Sequence, residues 1–225
     1  MKIFLFFRNR RFAHSKNMEK IDGHTKGFEK LAEVLKWSLD LGIKEVTAFA
    51  FSIENFRRSD QEINDLMTLA TEKFENFVKE NVKLKENGVR LTVIGDLNLL
   101  PTKLQEVVSR AVSETKENNK LFLNIAFAYT FRNELVSACK NILETNYEGN
   151  NDEINDELLI NNLQLKSVPD LLFRTSGENR LSDFLMWQLS SSILYFTKIL
   201  WPQINIRHFF AAIFQYEIIK FKNQI

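Results

Sequence analysis

Short apolar runs alternate along the chain with longer stretches whose apolar positions recur every three or four residues. Residues 3–7, 46–51, 89–94, 121–128, 171–174 and 193–196 are runs rich in β-branched and aromatic side chains, as buried strands require. Residues 25–41 carry Phe28, Leu31, Ala32, Leu35 and Leu39 at helical spacing, and Gly42 stops that helix. Residues 60–87 repeat the pattern with Ile63, Leu66, Met67, Leu69, Ala70, Phe74, Phe77 and Val78, ended by Gly88. Pro101 opens a further helix carrying Leu104, Val107, Val108, Ala111 and Val112. Helices are also predicted at 131–145, 183–191 and 207–221. Residues 8–23 read as a polar, basic loop. Residues 146–165, rich in Asn, Asp and Glu, read as a surface loop with a short helix, not a domain boundary. No internal repeat is visible. Strands alternating with helices predict one domain over residues 1–225. Its class is α/β, a single central, mostly parallel sheet of about six strands flanked by helices. In such sheets ligands bind beyond the carboxyl ends of the strands.

Composition narrows the classes little. The 225 residues carry a formal net charge of +1, which gives no support for a nucleic-acid binder. The one cysteine allows neither an internal disulfide nor a cysteine metal cage, and fits a reducing, cytoplasmic setting. No apolar run approaches the roughly 20 residues of a membrane helix. Phenylalanine is over-used, 20 residues against 7 Gly and 3 Pro. Such an excess fills a core or lines an apolar cavity, and composition alone favours the core.

Three predicted strand ends carry polar clusters. Asn9, Arg10 and Arg11 follow the first, with His24 further on. Ser52, Glu54, Asn55, Arg57 and Arg58 follow the second. Arg174 to Ser182, including Ser176, Gly177, Glu178 and Arg180, follow the fifth. Guanidinium groups make forked, charge-assisted bonds to phosphate oxygens, and hydroxyl and amide groups complete such a shell. A single arginine near a loop is usually solvated or paired with a surface acid. A lone histidine near a helix start is more often packed than catalytic, and Trp187 and Trp201 read as core or cover residues. Three clusters at equivalent strand ends point to a phosphate-binding site.

The chain also resembles a known family. Asn9-Arg10-Arg11-Phe12-Ala13, Gly23-His24-Thr25-Lys26-Gly27, Phe51-Ser52-Ile53-Glu54-Asn55-Phe56, Arg174-Thr175-Ser176-Gly177-Glu178, Arg180-Leu181-Ser182-Asp183-Phe184-Leu185 and Leu200-Trp201-Pro202 are similar to the cis-prenyltransferase family. Within it the resemblance is to the eukaryotic dehydrodolichyl diphosphate synthase branch. It implies an apolar tunnel between sheet and helices, with helix 60–87 as one wall. It also implies condensation of isopentenyl diphosphate onto farnesyl or a similar allylic diphosphate, giving a long-chain polyprenyl diphosphate. Carried over by position, Asn9, Arg11, Lys20, His24 and Arg58 would meet the allylic diphosphate. Ser52 and Asn55 would lie by the reacting atoms, Asn55 assisting proton removal. Arg174, Arg180 and Ser182 would hold isopentenyl diphosphate. Mg²⁺ is the implied cofactor. The implied setting is the cytoplasmic face of the endoplasmic reticulum, peripheral to the membrane.

The chain departs from that pattern in two places. The family's Met-Asp-Gly-Asn reads Phe6-Phe7-Arg8-Asn9 here, so Phe7 stands in place of the metal-binding aspartate. A phenyl ring offers no oxygen to a hard cation. Three explanations stay open: residues 1–8 come from a misdrawn gene start, catalysis has been lost, or Arg8 supplies part of the metal's charge. The chain also ends without the Arg-x-Gly element of single-subunit members, and Ile193 replaces a glutamate used across the bacterial dimer. This resembles the catalytic half of a heterodimer with a Nogo-B-receptor-type subunit. The competing reading is a catalytically impaired subunit that binds lipid diphosphates or stabilises a partner. A phosphatase or nucleotide hydrolase is disfavoured, because neither a Gly-rich phosphate loop nor a carboxylate pair is present.

Overall fold

The structure, a computed structural model, describes residues 1–79, 88–147 and 155–222. Its strands are β1 (Lys2–Phe6), β2 (Glu45–Ser52), β3 (Val89–Ile94), β4 (Leu121–Tyr129), β5 (Leu171–Arg174) and β6 (Ile193–Phe196). They form one sheet in the order β3-β4-β2-β1-β5-β6, and every pairing is parallel. The helices are α1 (Asn9–Ser15), α2 (Lys20–Asp40), α3 (Asp60–Lys79), α4 (Thr102–Thr115), α5 (Phe131–Tyr147), α6 (Asp156–Asn162) and α7 (Ile206–Lys222). Part of the predicted helix at 60–87 lies outside the described residues, as does part of the loop at 146–165.

Strand alternation builds two cores. Ile3 and Leu5 of β1 point to a face covered by α2, α3, α4 and α7, where Leu31, Val34, Leu66, Ala70, Leu104 and Phe209 are buried. Phe4 and Phe6 point to the other face, packed with Phe49, Tyr129, Phe184 and Leu189. Phe6, Phe49 and Phe184 form a tight aromatic group, with Phe49 and Phe184 stacked at 4.5 Å. The phenylalanine excess therefore serves both a solid core and, on the first face, an apolar cleft.

Two local expectations are corrected. Residues 8–23 are not one loop: α1 starts at Asn9 and α2 starts at Lys20. The buried face of α1 consists of Asn9 and Ala13, too little apolar surface to give a periodic signal. Gly23 and Gly27 sit inside α2 despite their poor helix propensity. A Cβ at Gly23 would lie 2.8 Å from Ala13 Cβ, and one at Gly27 would lie 2.3 Å from the Asn9 amide. Close approach of α1 to α2 explains both. Residues 183–191 are turns, not a helix. Ser182, Asp183 and Leu185 have φ of 52°, 58° and 45°, which no right-handed helix contains. The Leu185–Leu189 spacing that imitates a helix is one isolated turn, with Leu189 N donating to Leu185 O at 2.9 Å.

Candidate active site

The carboxyl ends of β1, β2 and β5 are neighbours in the sheet, so the three polar clusters converge. They line a pocket of about 610 Å³. Seven arginines face it, Arg8, Arg10, Arg57, Arg58, Arg132, Arg174 and Arg180, against two carboxylates, Glu54 and Asp183, leaving an excess of five positive charges. Asn9, His24, Ser52, Asn55 and Ser182 line the same space.

Arg174 lies deepest. Its residue is 1% exposed, yet it makes no ion pair within 4 Å among the described residues. The β1–β5 register sets it beside Phe6, and its guanidinium sits 3.7 Å from the centre of that ring. Nη2 donates to Ser182 Oγ at 3.2 Å, while Nε and Nη1 are buried without a partner. Burial lowers its pKa to about 10. Buried donors are normally satisfied. Among the described residues five buried side-chain atoms have no partner, and four belong to Arg174, Asn9 and His24. They are concentrated in one pocket.

Two buried glutamates organise the remaining cations. Glu178 binds Arg8, Arg11 at 2.8 Å and Arg180 at 2.7 Å. Glu62 binds Lys20 at 2.9 Å, Arg58 at 3.0 Å and Arg10 at 3.5 Å. Burial alone would raise both carboxyl pKa values, but the surrounding cations hold both below the ordinary range. Arg180 is thus paired with Glu178 rather than solvated. Arg11 and Lys20 act at one remove, since neither lines the pocket. Arg11 belongs to the Glu178 group rather than standing beside Lys20 and Arg58. From sequence Glu62 carries no site signal and Glu178 appears only as a member of the cluster after the fifth strand, without a role of its own. Only spacing relates them to the arginines, Glu62 four residues after Arg58 and Glu178 between Arg174 and Arg180.

His24 is held neutral. Burial first, then the charge of Arg58, lowers its pKa to about 4. Its Nδ1 lies 3.5 Å from the Asn9 amide nitrogen. Ser52 Oγ accepts from Glu54 N at 3.2 Å, and Asn55 Oδ1 accepts from Ser52 N at 3.2 Å. These bonds fix the turn after β2 and leave the Asn55 oxygen engaged with backbone.

An apolar cleft of about 730 Å³ lies between the sheet, α2 and α3, walled by Phe28, Leu35, Phe74, Phe77, Leu123 and Phe127. A smaller pocket lined by Phe7, Phe28, Phe51 and Leu66, among others, shares wall residues with both the cleft and the polar pocket. Pocket and cleft are therefore adjacent, but an open tunnel between them is not shown.

The residues do not fit a protein-held Mg²⁺. Position 7 is a phenyl ring stacked on Trp201 at 4.5 Å, and Glu62 and Glu178 are each taken up by three cations. Among the described residues no group of three or more His, Cys, Asp or Glu side chains could hold a metal. No helix among them is long and apolar enough to cross a membrane.

The sequence model of the family described as "Putative undecaprenyl diphosphate synthase" matches residues 8–222. The chain belongs to this cis-prenyltransferase family. It is 47% identical over 219 residues to the human dehydrodolichyl diphosphate synthase complex subunit DHDDS, covering 96% of this chain and 66% of that one. It therefore spans just under two thirds of that relative's length. It is 40% identical to the tritrans,polycis-undecaprenyl-diphosphate synthase (geranylgeranyl-diphosphate specific) of Picrophilus torridus, over 93% of this chain and 83% of that one. The crystal structure of lavandulyl diphosphate synthase from Lavandula x intermedia, in complex with dimethylallyl diphosphate, superposes with a TM-score of 0.88. That protein is 30% identical, with 95% of this chain and 93% of that one covered. The parallel α/β sheet expected from the strand pattern is present, and its fold is that of the family the motifs resemble. Enzymes of this family are transferases of isoprenoid biosynthesis, and the family is generally Mg²⁺-dependent.

Proposed function

We propose that this chain transfers a prenyl group from an allylic diphosphate to isopentenyl diphosphate, as the catalytic half of a dehydrodolichyl diphosphate synthase-type assembly. The observation that carries the reading is Arg174: a buried guanidinium with two unused donors, above an aromatic floor, in a pocket with five excess positive charges. Such a site takes a diphosphate. The apolar cleft beside it suits a prenyl tail. In this reading Arg174, Arg180 and Ser182 hold isopentenyl diphosphate, while Asn9, His24 and Arg58 face the allylic group, with Arg11 and Lys20 setting the two glutamate groups. Neutral His24 and Asn9 offer hydrogen bonds to the departing diphosphate. Ser52 and Asn55 stand beside the carbon that forms the new bond. Mg²⁺ would have to arrive with the diphosphates, because the chain's carboxylates do not present it. The assembly proposed is a dimer, with a second copy or a Nogo-B-receptor-type subunit, peripheral to the endoplasmic reticulum membrane.

A second reading has one observation in its favour, the Phe7 ring where the family places a metal-binding carboxylate: a subunit that binds prenyl diphosphates without turning them over. Labelled isopentenyl diphosphate, incubated with an allylic diphosphate and the purified chain, with and without a partner subunit, separates the two. A labelled cis-prenyl product supports transfer. Binding of both diphosphates without any product supports the second reading, and failure of either to bind overturns both. Within the first reading, Arg180→Ala should weaken use of isopentenyl diphosphate by about 30- to 1000-fold in kcat/KM. Binding of the allylic diphosphate should hold. An equal loss for both substrates would refute the division of labour.

A further inference from the structure

We infer that Asp183 is a positioning residue for the isopentenyl diphosphate site, and that it acts as a hydrogen-bond acceptor rather than as a charge. The inference rests on the diphosphate reading of the pocket and deepens it. As a charge Asp183 is misplaced. It is one of the two carboxylates lining a pocket with an excess of five positive charges, where a negative group repels an anionic ligand. Its one ion pair among the described residues is with Arg132, whose Nε lies 3.8 Å from Asp183 Oδ2. The Arg132 side chain is 89% exposed, so that pair contributes little.

As an acceptor Asp183 is well placed. Phe131 N donates to Asp183 O at 2.8 Å, and Arg132 N donates to Asp183 Oδ1 at 3.3 Å. These are the first two amides of α5, which have no partner inside the helix. Thr130 Oγ1 takes the third, from Asn133 N at 3.4 Å. Asp183 thus docks its own segment onto the start of α5. That segment needs holding, because Ser182, Asp183 and Leu185 all have positive φ. Non-glycine residues persist there only where the surrounding structure fixes them. Both neighbours of Asp183 reach Arg174. Ser182 Oγ accepts from Arg174 Nη2 at 3.2 Å. Phe184 packs edge-on against Phe6 at 5.6 Å, and the Phe6 ring is the floor beneath the guanidinium. With Nη2 engaged, Nε and Nη1 are the donors left for a diphosphate. Releasing Asp183 from α5 lets the segment relax, withdraws the Ser182 hydroxyl and frees the guanidinium to turn.

Calorimetric titration of isopentenyl diphosphate and of farnesyl diphosphate into wild type, Asp183→Gly and Asp183→Asn tests this. Glycine adopts the positive φ but supplies no side-chain acceptor. Asparagine tolerates the same φ and keeps the acceptor while discarding the charge. Charge alone predicts that both variants bind isopentenyl diphosphate more tightly. Positioning predicts that Asp183→Gly binds it about 10- to 100-fold more weakly, the range for a lost hydrogen bond to a charged group. Asp183→Asn should stay within about threefold of wild type or bind more tightly. Farnesyl diphosphate, assigned to Asn9, His24 and Arg58, should change by less than about threefold in both, which separates positioning from a general loss of the fold. Asp183→Ala removes the same acceptor and decides the matter if the glycine variant does not fold. Equal or tighter binding of isopentenyl diphosphate by Asp183→Gly would overturn the inference. So would a loss in Asp183→Asn equal to that in Asp183→Gly, or an equal loss for both diphosphates. If isopentenyl diphosphate fails to bind the wild-type chain, the diphosphate reading of the pocket falls, and the inference with it.

Discussion

His24 shows how one buried side chain ties the site to pH. Its folded pKa of about 4 lies below the ordinary value of 6.5. Between those values the unfolded chain binds more protons, so stability is full above about pH 6.5 and is lost as pH falls. From pH 7 to pH 5 the loss should be about 2 kcal/mol. Glu62 and Glu178 have lowered carboxyl pKa values, so their contribution is lost at more acid pH, below the ordinary carboxylate range. Urea unfolding of wild type and His24→Gln at pH 7 and pH 5 checks the assignment. The variant should lose far less than wild type over that interval, and parallel losses would show that another group titrates. Phe7 and Arg8 carry a second prediction. Phe7→Asp combined with Arg8→Gly should make condensation Mg²⁺-dependent and at least 100-fold faster, since a metal ligand in place of a phenyl ring is worth several kcal/mol. Phe7→Ala opens space but adds no ligand, and should show no such dependence. Equal rates before and after the double change would refute this account of position 7.

The crossing of α1 with α2 is the element on which the site most depends. Asn9 is buried and wedged against Gly27, whose carbonyl holds Trp201, the residue beneath Phe7. Gly27→Ala puts a methyl group 2.3 Å from the Asn9 amide, and that amide cannot give way without leaving the pocket. Overpacking of this kind costs about 1–3 kcal/mol. The variant should melt lower and also lose pyrophosphate affinity. Lowered stability with unchanged affinity would show that Asn9 does not serve the pocket. This crossing was also the least legible part of the fold. The six strands could be read from residue pattern alone, because parallel strands buried on both faces leave continuous apolar runs. In contrast, α1 buries an asparagine and an alanine, and α2 carries two glycines chosen for proximity, so neither announces itself by periodicity. The 183–191 segment misled in the opposite sense, since Leu185 and Leu189 mimic a helix that the positive φ values forbid. The arginines of the site were legible as clusters at strand ends. Glu62 and Glu178 were not, because a glutamate among arginines looks the same in sequence whether it is solvated or buried beneath three cations.

On the scale of the whole molecule, one surface remains to be covered. Helix α7 buries Phe209, Ala212 and Tyr216 against the sheet, and on its other side exposes Phe210, Phe214, Ile218 and Phe221. These four positions recur at intervals of four, four and three, so they form one stripe. Phe214 is 69% exposed and Phe221 66%. The sheet ends at β6, whose Leu194 is also exposed, and α7 packs beside it. An exposed edge strand and a contiguous aromatic stripe are both features that soluble monomers avoid. The proposed occupant is a second subunit of the same fold. Phe214→Asp would place a charge in the middle of the stripe without touching the inward face of α7. The wild-type chain, alone or with a partner subunit, should then run as a dimer by light scattering at micromolar concentration. The variant should run as a monomer with an unchanged melting temperature. Condensation should fall with the loss of the dimer and return in neither buffer nor substrate excess. A wild-type monomer with full turnover would refute the prediction, as would a Phe214→Asp dimer of unaltered affinity, because the stripe would then have no subunit to cover it.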